Sequence, residues 1–293
     1  MSEAIAYYPG CSGLGTSKEY DTSTRAVCAA LGLSLVDIPD WSCCGSTPAH
    51  TKDHYLSCAL SARNLQLVSN MGMKAAATPC PSCLTNLRTA NHRIEADAFK
   101  EKVNKLLDEP YDGDVNAVSV LQALVESVGL DTIKSAVRTP LKGLKVACYY
   151  GCIMNRPPEL MAFDDCENPM AMDNILSALG AEVVPFPLKV ECCGASYGIP
   201  RPDVVAKLSG KLLEAAVGIG ADMVAVACPL CQMNLDLRQG QVNRAMGTSY
   251  RIPVPYFTQL MGVALNIPDA EIGFGKLNVD PRPVLSKALS GAD

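Results

Sequence analysis

The sequence predicts an α/β protein of two pseudo-symmetric domains, each a small, mainly parallel sheet with flanking helices. One observation is a cysteine pattern that occurs twice along the 293 residues. The other is that, in each copy, short apolar runs alternate with helical patterns, as in βαβ units. The stretch 139–142, which contains a proline, marks the boundary. We therefore expect one domain over residues 1–140 and a second over 141–293, ending in a C-terminal tail.

Each half contains three apolar runs of strand type and three helical patterns. Gly32 and Gly180 stand where glycine caps the C-terminus of a helix. The predicted strands are 4–8, 34–38 and 74–78 in the first half, and 144–149, 182–186 and 222–227 in the second. The predicted helices are 19–31, 53–69 and 118–128, followed by 173–179, 203–217 and 256–265.

Charge and hydropathy exclude several classes of partner. The chain has 25 basic and 30 acidic residues, a net charge of −5, and no basic run, so we expect no nucleic-acid binding. No apolar stretch reaches the roughly 18 residues of a transmembrane helix. The first residues lack the basic and apolar regions of a signal peptide, and we therefore expect a cytoplasmic protein.

Cysteine is abundant, with 14 residues against three histidines. Cytosolic thiols are kept reduced, so metal binding is a better explanation than disulfides. Thiolate ligands select iron–sulfur clusters, zinc or copper(I).

The repeated pattern is a cysteine after Gly, then Cys-Cys-Gly, then Cys-Pro-x-Cys. Every motif cysteine follows a predicted strand, and the carboxyl ends of parallel strands meet at one edge of a sheet. We therefore expect five thiolates to converge in each half. The first set is Cys11, Cys43, Cys44, Cys80 and Cys83; the second set is Cys152, Cys192, Cys193, Cys228 and Cys231.

Five thiolates per half favour iron–sulfur clusters over zinc. A structural zinc site takes four ligands at compact spacings, whereas here two of five cysteines are adjacent and the groups lie far apart in sequence. A non-catalytic protein stabilised by zinc remains the alternative. Neither half contains the ferredoxin spacing CxxCxxC, so electrons are expected to arrive from another chain.

The duplicated motif resembles the CCG-domain family, and within it the B-type subunits of heterodisulfide reductase. The resemblance implies that each set of five cysteines binds a noncubane [4Fe-4S] cluster. It further implies that the coenzyme M–coenzyme B heterodisulfide is reduced to two thiols between the clusters. The implied partners are a ferredoxin-type iron–sulfur subunit (C-type) and a flavin-containing subunit (A-type). Related chains serve glycolate or lactate oxidation, so an electron-transfer subunit of an organic-acid dehydrogenase is the alternative.

Some other residues are candidates for contacts with substrate. His50, Lys52 and His54 follow the first Cys-Cys-Gly and could donate protons or contact an anionic group, although a solvated helix start also explains them. Four cations near motif cysteines could anchor an anion, although each is interpreted first as a surface charge: Lys52, Arg156, Lys189 and Arg201. The remaining cysteines are interpreted as small core residues: Cys28, Cys58, Cys148 and Cys166.

Overall fold

The computed structural model describes residues 3–290. The first half comprises β1 (Glu3–Tyr7), α1 (Gly10–Leu14), α2 (Lys18–Ala30), β2 (Leu33–Asp37), α3 (Ser46–Lys52), α4 (His54–Asn70), β3 (Ala75–Thr78), α5 (Pro81–Ile94), α6 (Asp97–Asn104), β4 (Asn116–Ser119), α7 (Val120–Ala123), a π-helical turn (Leu124–Val128) and α8 (Leu130–Ala136). Within residues 3–290, no helix is both long and apolar enough to cross a bilayer.

The second half repeats the order of the first and adds a tail. It comprises β5 (Lys145–Tyr149), α9 (Pro158–Met161), α10 (Ala171–Ala178), β6 (Glu182–Val184), a 3₁₀ turn (Ala195–Tyr197), α11 (Pro202–Gly218), β7 (Met223–Val226), α12 (Pro229–Gln232), a π-helical turn (Met233–Leu237), α13 (Gln239–Met246), α14 (Phe257–Ala264), α15 (Asp269–Ile272), a 3₁₀ turn (Phe274–Lys276) and α16 (Arg282–Ser290).

Both sheets are parallel, which confirms the predicted fold class. The strand order is β2-β1-β3-β4 in the first sheet and β6-β5-β7 in the second. The central strands are covered on both faces: Val146, Ala147 and Cys148 of β5 have no exposed surface. Continuous apolar runs of this kind are typical of parallel strands buried between layers of helices.

The first sheet has a fourth strand where the sequence predicted a helix from residue 118. Residues 116–119 pair with β3, and the Ser119 hydroxyl accepts from the Gln122 N–H at 2.9 Å, which caps the helix that follows. In the second half, the carbonyls of Pro253 and Pro255 accept hydrogen bonds from β7. Since proline has no N–H to donate, this segment follows the sheet without becoming a regular strand.

The two halves share one hydrophobic core, which includes side chains from both sheets. Helices α2 and α14 meet at this boundary. Tyr20 stacks on Tyr256 with ring centroids 4.0 Å apart, and the hydroxyls of Ser23 and Thr258 are 2.8 Å apart. Tight packing here fixes the orientation of one half against the other, and with it the relative positions of the two cysteine sets.

The C-terminal tail packs on its own chain. The carboxylate of Asp236, which lies in the π-helical turn after α12, accepts from the backbone N–H groups of Asn278 at 2.6 Å and Val279 at 3.1 Å. Gly273 lies against Glu19 of α2, where an added Cβ would meet the Glu19 Cβ at 2.9 Å. The tail therefore reaches the first half and covers part of α2.

A buried ion pair supports the second half. Lys189 Nζ lies 2.7 Å from Asp173 Oδ1, and both side chains are almost fully buried, with relative exposures of 6% and 5%. The Tyr150 hydroxyl donates to the other carboxylate oxygen of Asp173 at 2.7 Å. Lys189 also donates to the Pro169 carbonyl. The interpretation of Lys189 as a surface charge is therefore wrong.

Removing one partner of this pair should be costly, because it leaves the other charge buried without a counter-ion. We expect Asp173→Ala to lower the free energy of unfolding by about 3–5 kcal/mol, measured by urea titration. The matched control is Lys105→Ala, which removes an exposed i,i+4 pair with Glu101 and should leave the midpoint unchanged. Equal midpoints for the two variants would contradict this account.

Candidate metal centre

The first cysteine set is assembled from three strand ends. Cys11 follows β1, Cys43 and Cys44 follow β2, and Cys80 stands two residues after the end of β3, at the N-cap of α5. The Sγ atoms of Cys11 and Cys43 are 3.9 Å apart, and those of Cys44 and Cys83 are 3.6 Å apart. The parallel sheet therefore brings thiols that are distant in sequence to one edge.

The second set repeats this arrangement after β5, β6 and β7. The Sγ atoms of Cys193 and Cys231 are 3.7 Å apart, and the Gly194 N–H donates to the Cys192 sulfur at 3.3 Å. Cys228 is the N-cap of α12, as Cys80 is of α5. The motif alignment made from sequence therefore corresponds to equivalent positions in space.

Two glycines allow the sulfur atoms to approach the backbone. Gly10 and Gly151 have φ of +67° and +78°, values that favour glycine. A Cβ added to Gly10 would lie 3.0 Å from the Cys83 sulfur, and one added to Gly151 would lie 2.8 Å from the Cys231 sulfur. Any larger residue would push the last cysteine of the set out of place.

Sequence reasoning missed two asparagines that contact the sulfurs. Asn86 donates to the Cys44 sulfur and Asn234 donates to the Cys193 sulfur, each at 3.5 Å. Each asparagine follows its Cys-Pro-x-Cys by three residues, one helical turn on. Comparing the two halves beyond the cysteines could have identified this pair, because the extended motif Cys-Pro-x-Cys-x-x-Asn occurs in both.

Hydrogen bonding lowers the pKa of two cysteines in each half and so favours their thiolate forms: Cys44 and Cys80 in the first half, and Cys192 and Cys193 in the second. The hydrogen bond with Cys83, helped by the Ser46 N–H and the Asn86 amide, lowers the pKa of Cys44 to about 6, against the effect of burial. The hydrogen bond with Cys152, helped by the N–H groups of Gly194 and Ala195, lowers the pKa of Cys192 to about 6. Thiolate is the form that binds metal.

The donor set fits a cluster with thiolate ligands. All fourteen cysteines are free thiols, although several sulfurs lie within 4 Å of one another. Within residues 3–290, no group of three or more His, Cys, Asp or Glu side chains is arranged to hold a single metal ion. The convergence of thiols and the space that Gly10 and Gly151 leave beside them are features that a larger inorganic group would use.

A cavity of about 270 Å³ lies where the two halves meet. All five cysteines of the second set line it, with Tyr150, Ile153 and Leu230. The first half contributes residues next to its own cysteines and along α5: Ser46, His50, Pro81, Ser82, Thr85 and Asn86. We call this space the central cavity. No described cysteine of the first set lines it, so the two sets are not equivalent toward a small molecule.

One of the predicted substrate contacts lines the central cavity, and the others lie outside it. His50 lies on α3 and lines the central cavity, whereas His54 begins α4 and lines only a neighbouring pocket. Lys52 is exposed and lines neither. Arg156 forms an ion pair with Glu167, and Arg201 forms one with Asp203. His50 is thus the predicted contact that meets the cavity.

Three of the four cysteines outside the motif behave as core residues. Cys28, Cys58 and Cys148 are buried, and burial raises the pKa of Cys28 to about 12 and that of Cys58 to about 11. Cys166 is half-buried. Neutral, buried thiols of this kind do not compete for metal, which agrees with the interpretation of the three buried residues.

Gly151→Ala should prevent metal binding by the second set, because the new Cβ would collide with the Cys231 sulfur. The expected result is loss of the metal of that set alone, measured by elemental analysis of anaerobically purified protein. The matched control is Gly218→Ala at the end of α11, where an added Cβ meets no atom within 4 Å. Full metal content in the Gly151 variant would show that close approach is not required.

In metal-free protein, two of the three exposed thiols, Cys192 and Cys11, should react at different rates. The pKa of Cys192 is lowered to about 6, while burial and the neighbouring Cys43 raise that of Cys11 to about 11. Near neutral pH, Cys192 is therefore mainly thiolate and Cys11 mainly thiol. Iodoacetamide labelling followed by mass spectrometry should modify Cys192 first; the opposite order would contradict the stabilisation of the Cys192 thiolate by its donors.

Known proteins with similar sequences span almost the whole chain. The 8-methylmenaquinol:fumarate reductase membrane anchor subunit of Wolinella succinogenes is 34% identical over 96% of this chain and 98% of its own length. The B subunit of the ferredoxin/F420H2-dependent CoB-CoM heterodisulfide reductase of Methanosarcina acetivorans is 31% identical over 92% of this chain and 91% of its own.

Among solved structures, a hypothetical protein from Helicobacter pylori has the same fold, with a TM-score of 0.76 at 12% identity. The match covers 96% of this chain and 52% of that one, so this chain spans about half of the solved protein. The family described as CCG, cysteine-rich domain, matches residues 5–88 and 146–236. These two segments contain all ten motif cysteines, and the chain therefore belongs to the CCG family of cysteine-rich proteins, with two copies of the domain.

Proposed function

We propose that this chain is the iron–sulfur subunit of a heterodisulfide reductase, and that it reduces the coenzyme M–coenzyme B heterodisulfide to the two free thiols. The observation that carries the proposal is a cavity between the halves, lined by all five cysteines of the second set and by residues next to the first set. Relatives named as the B subunit of that enzyme support the assignment over more than nine-tenths of the chain. Cleaving a disulfide takes two electrons and two protons, and yields two thiols.

Two noncubane [4Fe-4S] clusters are proposed as the cofactors, one in each set of five cysteines. When bound, such a cluster supplies one-electron chemistry at iron, so a pair of clusters matches a two-electron reaction. The remaining wall of the central cavity limits water: its lining includes Ile153, Leu230 and the ring of Tyr150. His50 lies on the first-half side of the cavity, where an imidazolium could donate a proton to a product sulfur.

Electrons must enter through another protein, because the chain contains no ferredoxin spacing. We propose a ferredoxin-type subunit and a flavin-containing subunit as the donors, in keeping with relatives that are named as subunits of larger reductases. Free thiolates and open clusters require a reducing compartment, so the proposed location is the cytoplasm.

The second candidate is an electron-transfer subunit for an organic-acid oxidoreductase, of the glycolate or lactate dehydrogenase type. Two observations favour it. The relative from a quinol:fumarate reductase is 34% identical over nearly its full length. In addition, no lysine, arginine, aspartate or glutamate lines the central cavity among the described residues. A mainly apolar space of this kind can also take a quinone ring.

Substrate reduction separates the two candidates. Anaerobically purified protein supplied with reduced methyl viologen should reduce the coenzyme M–coenzyme B heterodisulfide, measured by viologen bleaching and thiol release. Reduction of a menaquinone analogue by the same reduced viologen, measured by the quinone absorbance, serves as the competing assay. Quinone reduction without disulfide cleavage would reject the proposed function in favour of the second candidate.

The cysteine sets can be tested one at a time. Cys193→Ser and Cys44→Ser each remove a buried ligand from one set, so each variant should lose one cluster and all disulfide reduction, because one electron is too few. Electron paramagnetic resonance of the reduced protein should retain the signal of the other cluster. The control is Cys28→Ser, a buried cysteine outside both sets, which should keep both signals and its turnover. Turnover in either ligand variant would disprove the two-cluster reaction.

A further inference from the structure

A second pocket lies beside the central cavity and is lined by more polar and basic side chains. It has a volume of about 190 Å³ and shares His50, Thr85 and Asn86 with the central cavity. The rest of its wall comes from α4 and α5: His54, Ser57, Cys58, Thr89, Ala90 and Arg93. We call this space the side pocket. Since three residues line both spaces, the two pockets adjoin each other.

The side pocket is cationic in a protein with an excess of acidic residues. Arg93, in the last turn of α5, is half-buried and is the permanent charge on its wall. No aspartate or glutamate lines the pocket within the described residues. In that same part of the structure, the Arg93 guanidinium makes no hydrogen bond or ion pair and lies 6.0 Å from the centroid of the Phe99 ring. Its donors therefore remain available.

A structural role for these residues is the competing explanation. An arginine in the last turn of a helix is favoured by the helix dipole. The dipole does not explain why Arg93 lies in a pocket together with two histidines and several hydroxyl groups. The second half provides an internal comparison, because its motif has the same spacing. Its counterparts of His50, His54 and Arg93 are Ile199, Asp203 and Gln241. The cationic group therefore occurs in one half only, next to the cavity.

From this placement, we propose that the side pocket binds an anionic group of the substrate, a sulfonate, phosphate or carboxylate, with Arg93 as its main charged contact. A guanidinium donates two parallel hydrogen bonds to such groups, and the imidazoles of His50 and His54 and the hydroxyl of Thr89 can add donors. The inference rests on the proposed function and deepens it, since it gives the substrate of the central cavity a charged end.

The pocket also sets the direction in which a substrate lies. Asn86 lines both spaces and donates to the Cys44 sulfur, so the anionic end is held on the first-half side. The remainder of the molecule then extends toward the second-set cysteines that line the central cavity. Arg93 thus acts on binding and orientation, at a distance from the bond that breaks.

Anion binding in the side pocket can be tested without measuring turnover, by protection of Arg93 from chemical modification. Phenylglyoxal should modify Arg93 in the purified protein, and ethanesulfonate, which has the anionic group but no sulfur to reduce, should protect it. Peptide mass mapping follows each arginine separately. Arg244, exposed on α13 and outside both pockets, is the internal control and should be labelled equally with and without the anion. Failure of ethanesulfonate to protect Arg93 selectively would overturn the proposal.

Turnover then tests the role of the pocket in the reaction. Arg93→Gln should raise KM for the coenzyme M–coenzyme B heterodisulfide by roughly tenfold or more, because a charge-assisted hydrogen bond is lost, with kcat little changed. Arg93→Lys, which keeps the charge, should recover part of the loss. Arg244→Gln should leave both constants unchanged. With a neutral substrate, bis(2-hydroxyethyl) disulfide, Arg93→Gln should have no effect on KM.

These outcomes separate the two proposals. Protection of Arg93 without heterodisulfide turnover would reject the proposed function and retain an anion site. Turnover with an unchanged KM in Arg93→Gln would retain the proposed function and reject the site. An equal rise in KM for the charged and neutral disulfides would point to a general loss of structure, and would also overturn the role of Arg93 in binding the anion.

Discussion

Each sheet must hold five free thiols at one edge, with sulfur atoms as close as 3.6 Å, without an oxidised pair forming. The rest of the structure serves this constraint. Parallel strands bring three separate chain segments to the same edge, and positive-φ glycines let the sulfurs approach the backbone. Buried tyrosine hydroxyls anchor the paired cysteines: Tyr8 donates to the Ser42 carbonyl at 2.7 Å, and Tyr149 donates to the Glu191 carbonyl at the same distance. Thiolates in such sites are stabilised by nearby donors rather than by cations.

Duplication of this sheet edge explains the two-domain architecture. Small departures from symmetry explain why the two copies contribute different residues to the central cavity. The shared core around Tyr20 and Tyr256 fixes one half against the other. That orientation turns the second set toward the central cavity and places α5 of the first half on the facing wall. Residues at the same motif positions then diverge, as His50 and Ile199 do. The proposed two-electron reaction at one cavity is consistent with this asymmetry.

Sequence alone predicted the parts of the fold that depend on local pattern. The repeated motif and its flanking apolar runs were sufficient for two parallel sheets, because each cysteine follows a strand. The fourth strand at residues 116–119 was missed, since a four-residue apolar run that leads into a helix has no period of its own. Its counterpart at residues 252–256 contains two prolines and is equally hard to recognise.

The residues around the motif cysteines are positioned by tertiary packing, and fewer of them could be predicted from the sequence. Lys189 is charged and close to the motif in sequence, yet its partner Asp173 comes from another segment and draws it into the interior. His50 was found because it follows the motif. Arg93 was not, because it reaches the same wall only through the packing of α4 against α5. The two-pocket arrangement therefore becomes visible only when the halves are assembled.

The most direct test of this account is the metal content of the chain purified without oxygen. Two four-iron clusters predict about eight iron atoms per chain, together with acid-labile sulfide and without zinc. Zinc without labile sulfide would contradict the account, since it would identify the cysteine sets as structural sites. Iron for a single cluster would contradict the claim that both copies of the motif bind one.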